Sequence, residues 1–115
     1  MRTLEEASTV TAEARDILAE FKRIVIEICP SATILLYGSV SRGTQTAESD
    51  YDLLVLTEQP LSKTERDELR HRVFELELER EAILSKIYCS REEWNSLLWR
   101  GSPLYIEIQR DGVTL

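Results

Sequence analysis

Apolar side chains at Val10, Ala14, Ile17, Leu18, Phe21, Ile24, Val25 and Ile28 recur every three or four positions. That period predicts a helix over residues 10–28 with one buried stripe, ended by Pro30. Residues 32–37 (ATILLY) are short, apolar and closed by Gly38, the pattern of a buried strand. A polar stretch with two glycines follows, then residues 50–57 (DYDLLVLT), a second buried strand. Pro60 and Ser62 open a turn, and Ser62 to Glu65 form a capping box for a helix to about Leu78. Its expected core face is Leu69, Val73, Leu76 and Phe74. Residues 80–89 (REAILSKIYC) predict a third strand. Ser90 to Glu93 form a second capping box, leading through Trp94, Leu97 and Leu98 to a stop at Gly101. Ser102 and Pro103 start a last short helix through Arg110, with Gly112 as its stop.

The fold class is therefore α/β (α+β): a small mixed sheet of about three to four strands flanked by helices. No repeat, linker or low-complexity segment interrupts it, and 115 residues suit a single domain over 1–115. The charge is −7, with 14 Lys and Arg against 21 Asp and Glu. Phosphate neutralisation needs clustered cations, so direct nucleic-acid binding is not expected. An acidic surface suits a basic partner or a metal-bridged anion. The N-terminal residues carry acids and no apolar core of a signal peptide, and no apolar run reaches the roughly 20 residues of a membrane helix. A cytoplasmic protein is the default. Cys29 and Cys89 could pair, but reduced, half-buried thiols are the better reading. There is one histidine, His71, and no Cys/His cluster for zinc. An open sheet edge, or an apolar face bearing the tryptophans, could form a homo-oligomer; the pattern does not decide it.

The chemistry is concentrated between Leu36 and Leu54. A strand ends at Gly38, where a missing side chain permits a tight turn and close approach of a ligand. Ser39 stands at a helix start, whose free N–H groups suit phosphate. Arg42 and Gly43 come one turn later, the arginine offering a fixed fork for phosphate oxygens. Asp50 and Asp52 flank Tyr51 at the head of the second strand, on one face by alternation. Two carboxylates so placed repel unless a cation lies between them. Magnesium takes one or two carboxylates plus phosphate oxygens, and two such ions serve in-line displacement. Taken singly, each piece is a common turn or a solvated edge residue. Together they are the minimum apparatus of nucleotidyl transfer, and Asp52 breaks an otherwise continuous apolar strand at a cost in stability.

The segment resembles the polymerase-beta-like nucleotidyltransferases in their small form, the minimal nucleotidyltransferases. Their motif is Gly-Ser, an Arg-Gly soon after, ten residues in all, then Asp-x-Asp. Here it stands as Gly38-Ser39, Arg42-Gly43, residues 40–49, then Asp50-Tyr51-Asp52. The resemblance implies a nucleotidyltransferase fold. It implies that Gly38 and Ser39 contact the β- and γ-phosphates of ATP, with Arg42 supporting them beside Gly43. It implies that Asp50 and Asp52 bind two Mg²⁺ ions, and that AMP passes to a hydroxyl. The family adds a third carboxylate on the neighbouring strand, for which Glu81 is the candidate; a solvated glutamate at a strand edge is the competing reading. The acceptor must come from a partner or another copy. In the minimal subfamily that partner is a small helical HEPN-type toxin, whose tyrosine hydroxyl receives AMP. The alternative is a catalytically weak nucleotide-binding antitoxin that acts by complex formation.

Overall fold

The computed structural model describes residues 1–46 and 50–115. Helix α1 (Ala12–Ile28) follows the sequence stripe, with Thr11 as its N-cap accepting from the Ala14 amide. Strands β2 (Thr33–Tyr37), β3 (Tyr51–Thr57) and β4 (Leu84–Ser90) form the middle and one edge of the sheet. Two-residue strands β1 (Arg2–Thr3) and β5 (Val113–Thr114) complete it. The order is β1-β5-β2-β3-β4, one more strand than the period-2 pattern predicts, because a two-residue strand carries no alternation. β2 and β3 are antiparallel, while β3 and β4 are parallel and joined by helix α3 (Lys63–Arg80).

The sheet has two unlike faces. On one, α1 and α3 press Leu18, Phe21, Val25, Leu69 and Val73 onto Leu36, Leu53 and Val55. These alternate positions point to one side of the pleat, and the layer is closed and apolar. On the other, Leu35, Tyr37 and Leu54 meet Trp94 and Ile108 in a smaller core. This second face is covered by short helices: α4 (Arg91–Trp94), α5 (Leu97–Arg100) and α6 (Pro103–Asp111). The ring of Trp94 lies 5.5 Å from Trp99 and 5.1 Å from Tyr105.

Three expectations need correction. The predicted helix after Ser90 is two helices, and Leu97 and Leu98 on the second stand 87% and 86% exposed. Phe74 is 57% exposed, because α3 buries Leu69, Val73 and Leu76 and leaves the neighbouring stripe outward. The third strand starts at Leu84, not at residue 80: α3 runs on to Arg80 and ends with Glu81 in the left-handed conformation at φ 52°. Cys29 and Cys89 are free thiols, and burial pushes each up to about 11, as expected for inert half-core cysteines. No described helix is long and apolar enough to cross a membrane.

Candidate active site

The turn after β2 is built from backbone outward. Tyr37 is extended, Gly38 turns to φ +77°, and a five-residue helix α2 (Gly38–Arg42) begins at once. Ser41 Oγ donates to the Gly38 carbonyl at 2.7 Å, closing the turn inside the protein. Gly43 ends α2 at φ +73°, where a Cβ would meet the Thr9 carbonyl at 2.8 Å. Thr9 Oγ1 in turn donates to the Ser41 carbonyl at 2.7 Å. The segment holding Thr9 is fixed by Arg15, whose guanidinium donates to the carbonyls of Leu4, Ala7 and Val10. Thus Arg42-Gly43 carries a structural duty: the glycine lets residues 4–10 brace the turn.

Asp52 stands opposite Tyr37 in the β2–β3 ladder and shares the second face with Leu54. Its carboxylate lies against Gly38: a Cβ on that glycine would sit 2.2 Å from Asp52 Oδ2. The Gly-Ser turn and the Asp-x-Asp strand therefore meet at one point, and only glycine leaves room there for a carboxylate that faces the turn. Asp50 precedes β3 rather than opening it, and is exposed at the rim. Burial holds the Asp52 carboxyl above the usual carboxylate range, helped by Asp50 and Glu107, with Arg42 opposing. Tyr37 is raised by burial and by the Asp52 and Glu107 charges, so these three groups share one electrostatic environment.

Glu107 and Asp111 were not visible as site residues in the sequence. Both lie on α6, which packs on β2 and α2. Arg42 Nη1 sits 3.3 Å from Asp111 Oδ2 and 3.8 Å from Glu107 Oε1. The arginine expected at phosphate is here paired with α6 carboxylates. No sequence signal links positions so far apart; their helical spacing of four, which sets both on one side of α6, is all that hints at a shared task.

Glu81 does not join Asp52. It caps α3 and lines a cavity of about 210 Å³ with Tyr51, whose side chain points to the opposite face from Asp52. The β4 residue paired with Asp52 is Ser85. Among the described residues no group of three or more His, Cys, Asp or Glu side chains is gathered for a metal. The donor set is instead two carboxylates beside a glycine cradle. Hard oxygen ligands of that number fit magnesium when a nucleotide brings the remaining oxygens.

The model of the nucleotidyltransferase domain family matches residues 18–107. The chain belongs to that family. A nucleotidyltransferase relative from Haemophilus influenzae, named a probable protein adenylyltransferase MntA, is 28% identical over 98 residues, 85% of this chain and 83% of its own. Among solved structures, a mutant of the toxin–antitoxin MntA–HpeT is similar with a TM-score of 0.52 and 19% identity. That similarity covers 90% of this chain and 72% of the solved one. The nucleotidyltransferase fold is thus carried by the five-stranded sheet and its helices.

Proposed function

We propose that the chain, as one minimal nucleotidyltransferase domain over 1–115, transfers AMP from ATP to a hydroxyl on a partner protein of the HEPN-toxin kind. The observation that carries this is the meeting of the Gly38 turn with the Asp52 carboxylate in a chain of this family. The adenylyltransferase name of the Haemophilus relative supports AMP as the group moved, and the toxin–antitoxin pairing of the structural relative supports a toxin as acceptor.

In this reading the Gly38 and Ser39 amides at the start of α2 take the triphosphate, and the close-packed turn excludes water beneath it. Arg42 exchanges its α6 carboxylates for phosphate oxygens, while Gly43 keeps the turn in place. Asp50 and Asp52 would hold the magnesium, which when bound offsets phosphate charge and eases loss of the hydroxyl proton. The acceptor oxygen bonds to the α-phosphorus, the bond to the β-phosphate bridge breaks, pyrophosphate leaves, and the hydroxyl proton passes to a basic group.

A second reading rests on Ser85, which stands where a third carboxylate would lie beside Asp52. It makes the chain a nucleotide-binding antitoxin that acts by complex formation. Incubation with α-labelled ATP, magnesium and a small helical protein of the HEPN-toxin kind separates the two. Label on that protein, lost in the Asp50→Asn/Asp52→Asn variant, supports transfer. Silencing of the partner that survives loss of both aspartates sinks the enzyme reading.

A further inference from the structure

Helix α2 has five residues, too few for a helix to hold its own geometry. Its carbonyls can be followed one by one. The Gly38 carbonyl accepts from Ser41 Oγ at 2.7 Å, the Ser39 carbonyl from the Thr44 amide at 3.0 Å, and the Val40 carbonyl from the Gly43 amide at 3.3 Å. Those donors belong to the turn itself. The Ser41 carbonyl is different, because Thr9, 32 positions earlier in the chain, donates its hydroxyl there at 2.7 Å. Arg2 Nη2 adds a longer contact to the same oxygen at 3.5 Å. The Thr9 carbonyl lies so near that a Cβ on Gly43 would sit 2.8 Å from it. One residue thus gives a donor to the end of α2 and packs its backbone against the glycine that ends it.

Thr9 sits in a run of turns between β1 and α1, and Arg15 gives that run its shape. The Arg15 guanidinium donates to the Leu4, Ala7 and Val10 carbonyls at 2.7, 2.5 and 3.1 Å. Its planar fork fixes three backbone oxygens at once, which a lysine ammonium on a flexible stem would not do. The Ala7 amide donates to the Leu4 carbonyl and the Val10 amide to the Ala7 carbonyl. Ala7 and Val10 are buried on either side of Thr9, which is itself exposed. The threonine is therefore held in place by its neighbours, and its hydroxyl bond is directed outward from that frame to α2. The other strong polar tie from α2 to a distant segment is Arg42, which pairs with Glu107 and Asp111.

We propose that Thr9 is a positioning residue of the nucleotide site, an inference that rests on the reading of the Gly38 turn as the place where ATP binds. Thr9 acts through the Ser41 carbonyl: it fixes the end of α2, so that Gly38 stays against Asp52 and the turn meets phosphate in one geometry. In that reading phosphate takes Arg42 away from α6. The Thr9 hydroxyl then becomes the main hydrogen bond that keeps α2 in register with the rest of the chain while nucleotide is bound. Coupling of this kind is reciprocal: if residues 4–10 steady the turn for ATP, then ATP steadies residues 4–10.

Calorimetric titration with ATP and magnesium should compare the full native chain with Thr9→Val and Thr9→Ser, each shown to be folded at the working temperature by its melting curve. Thr9→Val keeps the shape and loses the hydroxyl. It should bind ATP about three- to tenfold more weakly, the range of one net hydrogen bond. Thr9→Ser keeps the hydroxyl and should bind as the native chain does. Amide hydrogen exchange in residues 4–10 should slow when ATP and magnesium are added to the native chain, and should slow less in Thr9→Val. A Thr9→Val chain with native affinity overturns the inference and leaves the nucleotide site standing. A Thr9→Ser chain as weak as Thr9→Val does the same, since the hydroxyl would not then be the group that matters. Exchange in residues 4–10 that ATP leaves unmoved also overturns it. A native chain that binds no ATP overturns both the inference and the reading beneath it.

Discussion

The two faces of the sheet divide the labour. The α1–α3 face is a continuous apolar layer in which Leu18, Phe21, Leu36, Leu53 and Val55 are all buried. The α4–α6 face has a smaller core and gives its upper end to Tyr37, Asp52, Arg42, Glu107 and Asp111. One face stabilises and the other spends stability on charge held near a glycine turn. Residue alternation explains how neighbours in one strand serve both: Leu53 belongs to the first face, while Asp52 and Leu54 belong to the second.

The comparison breaks most sharply with Phe21→Ala. The ring is fully buried among α1 and β-strand side chains. Its loss should cost about 3–5 kcal/mol in chemical denaturation. Nucleotide binding per folded molecule should be unchanged. If the affinity of the folded fraction falls as steeply as the stability, the faces are not separate.

Gly38→Ala tests the other face. The new methyl group meets Asp52 Oδ2 at a position a Cβ would occupy 2.2 Å away, on a backbone at φ +77°. Strain of about 1–3 kcal/mol follows. The larger effect should be on function: calorimetry with ATP and magnesium should show no binding while the circular dichroism spectrum stays native. Binding at native affinity would detach the turn from the nucleotide site.

Ser62→Ala returns to the first face with a smaller effect. Ser62 Oγ accepts from the Glu65 amide at 3.1 Å, and Glu65 Oε1 accepts from the Ser62 amide at 2.9 Å. Removing the cap should cost about 1 kcal/mol in denaturant melts without touching nucleotide affinity. The Ser62 amide holds the Glu65 carboxyl below its ordinary value. That contribution is present above the unfolded pKa and fades as pH falls through the folded one. An α3 cap whose loss costs nothing would show that packing alone holds this helix.

The same division governs what was legible in the sequence. Helix α1 and strands β2 and β3 declare themselves because burial imposes periods of 3.6 and 2 on their residues. The Gly38-Ser39 and Asp50–Asp52 spacing was legible because the turn and strand are neighbours in sequence. Phe74 was misplaced because Val73 and Phe74 are adjacent, and the helical period alone does not choose which bounds the buried stripe. Glu81 was misplaced because α3 ends on a left-handed residue that is neither glycine nor asparagine, a helix end the sequence does not mark, so the strand expected from residue 80 begins only at Leu84. Glu107 and Asp111 reach Arg42 only through the docking of α6 on α2, a contact that no local pattern encodes.

The smallest effect has the most telling sign. Asp52 carries its charge in a partly buried place beside Asp50 and Glu107, and its carboxyl lies above the ordinary range. A carboxylate raised in the folded state binds its proton more tightly there than in the unfolded chain. Stability is therefore highest below the unfolded pKa, falls as pH rises through the window between the two values, and stays lower above the folded one. Asp52→Asn removes that penalty without changing the shape of the side chain. Without nucleotide or metal, the variant should melt slightly higher than the native chain at neutral pH, and the gap should close on acidification below the unfolded carboxylate range. Most single substitutions destabilise, so a gain at this position marks a residue kept for chemistry rather than for the fold. A variant that melts lower at neutral pH would instead make Asp52 a structural member of its face, and the two sides of the sheet would then differ in shape but not in purpose.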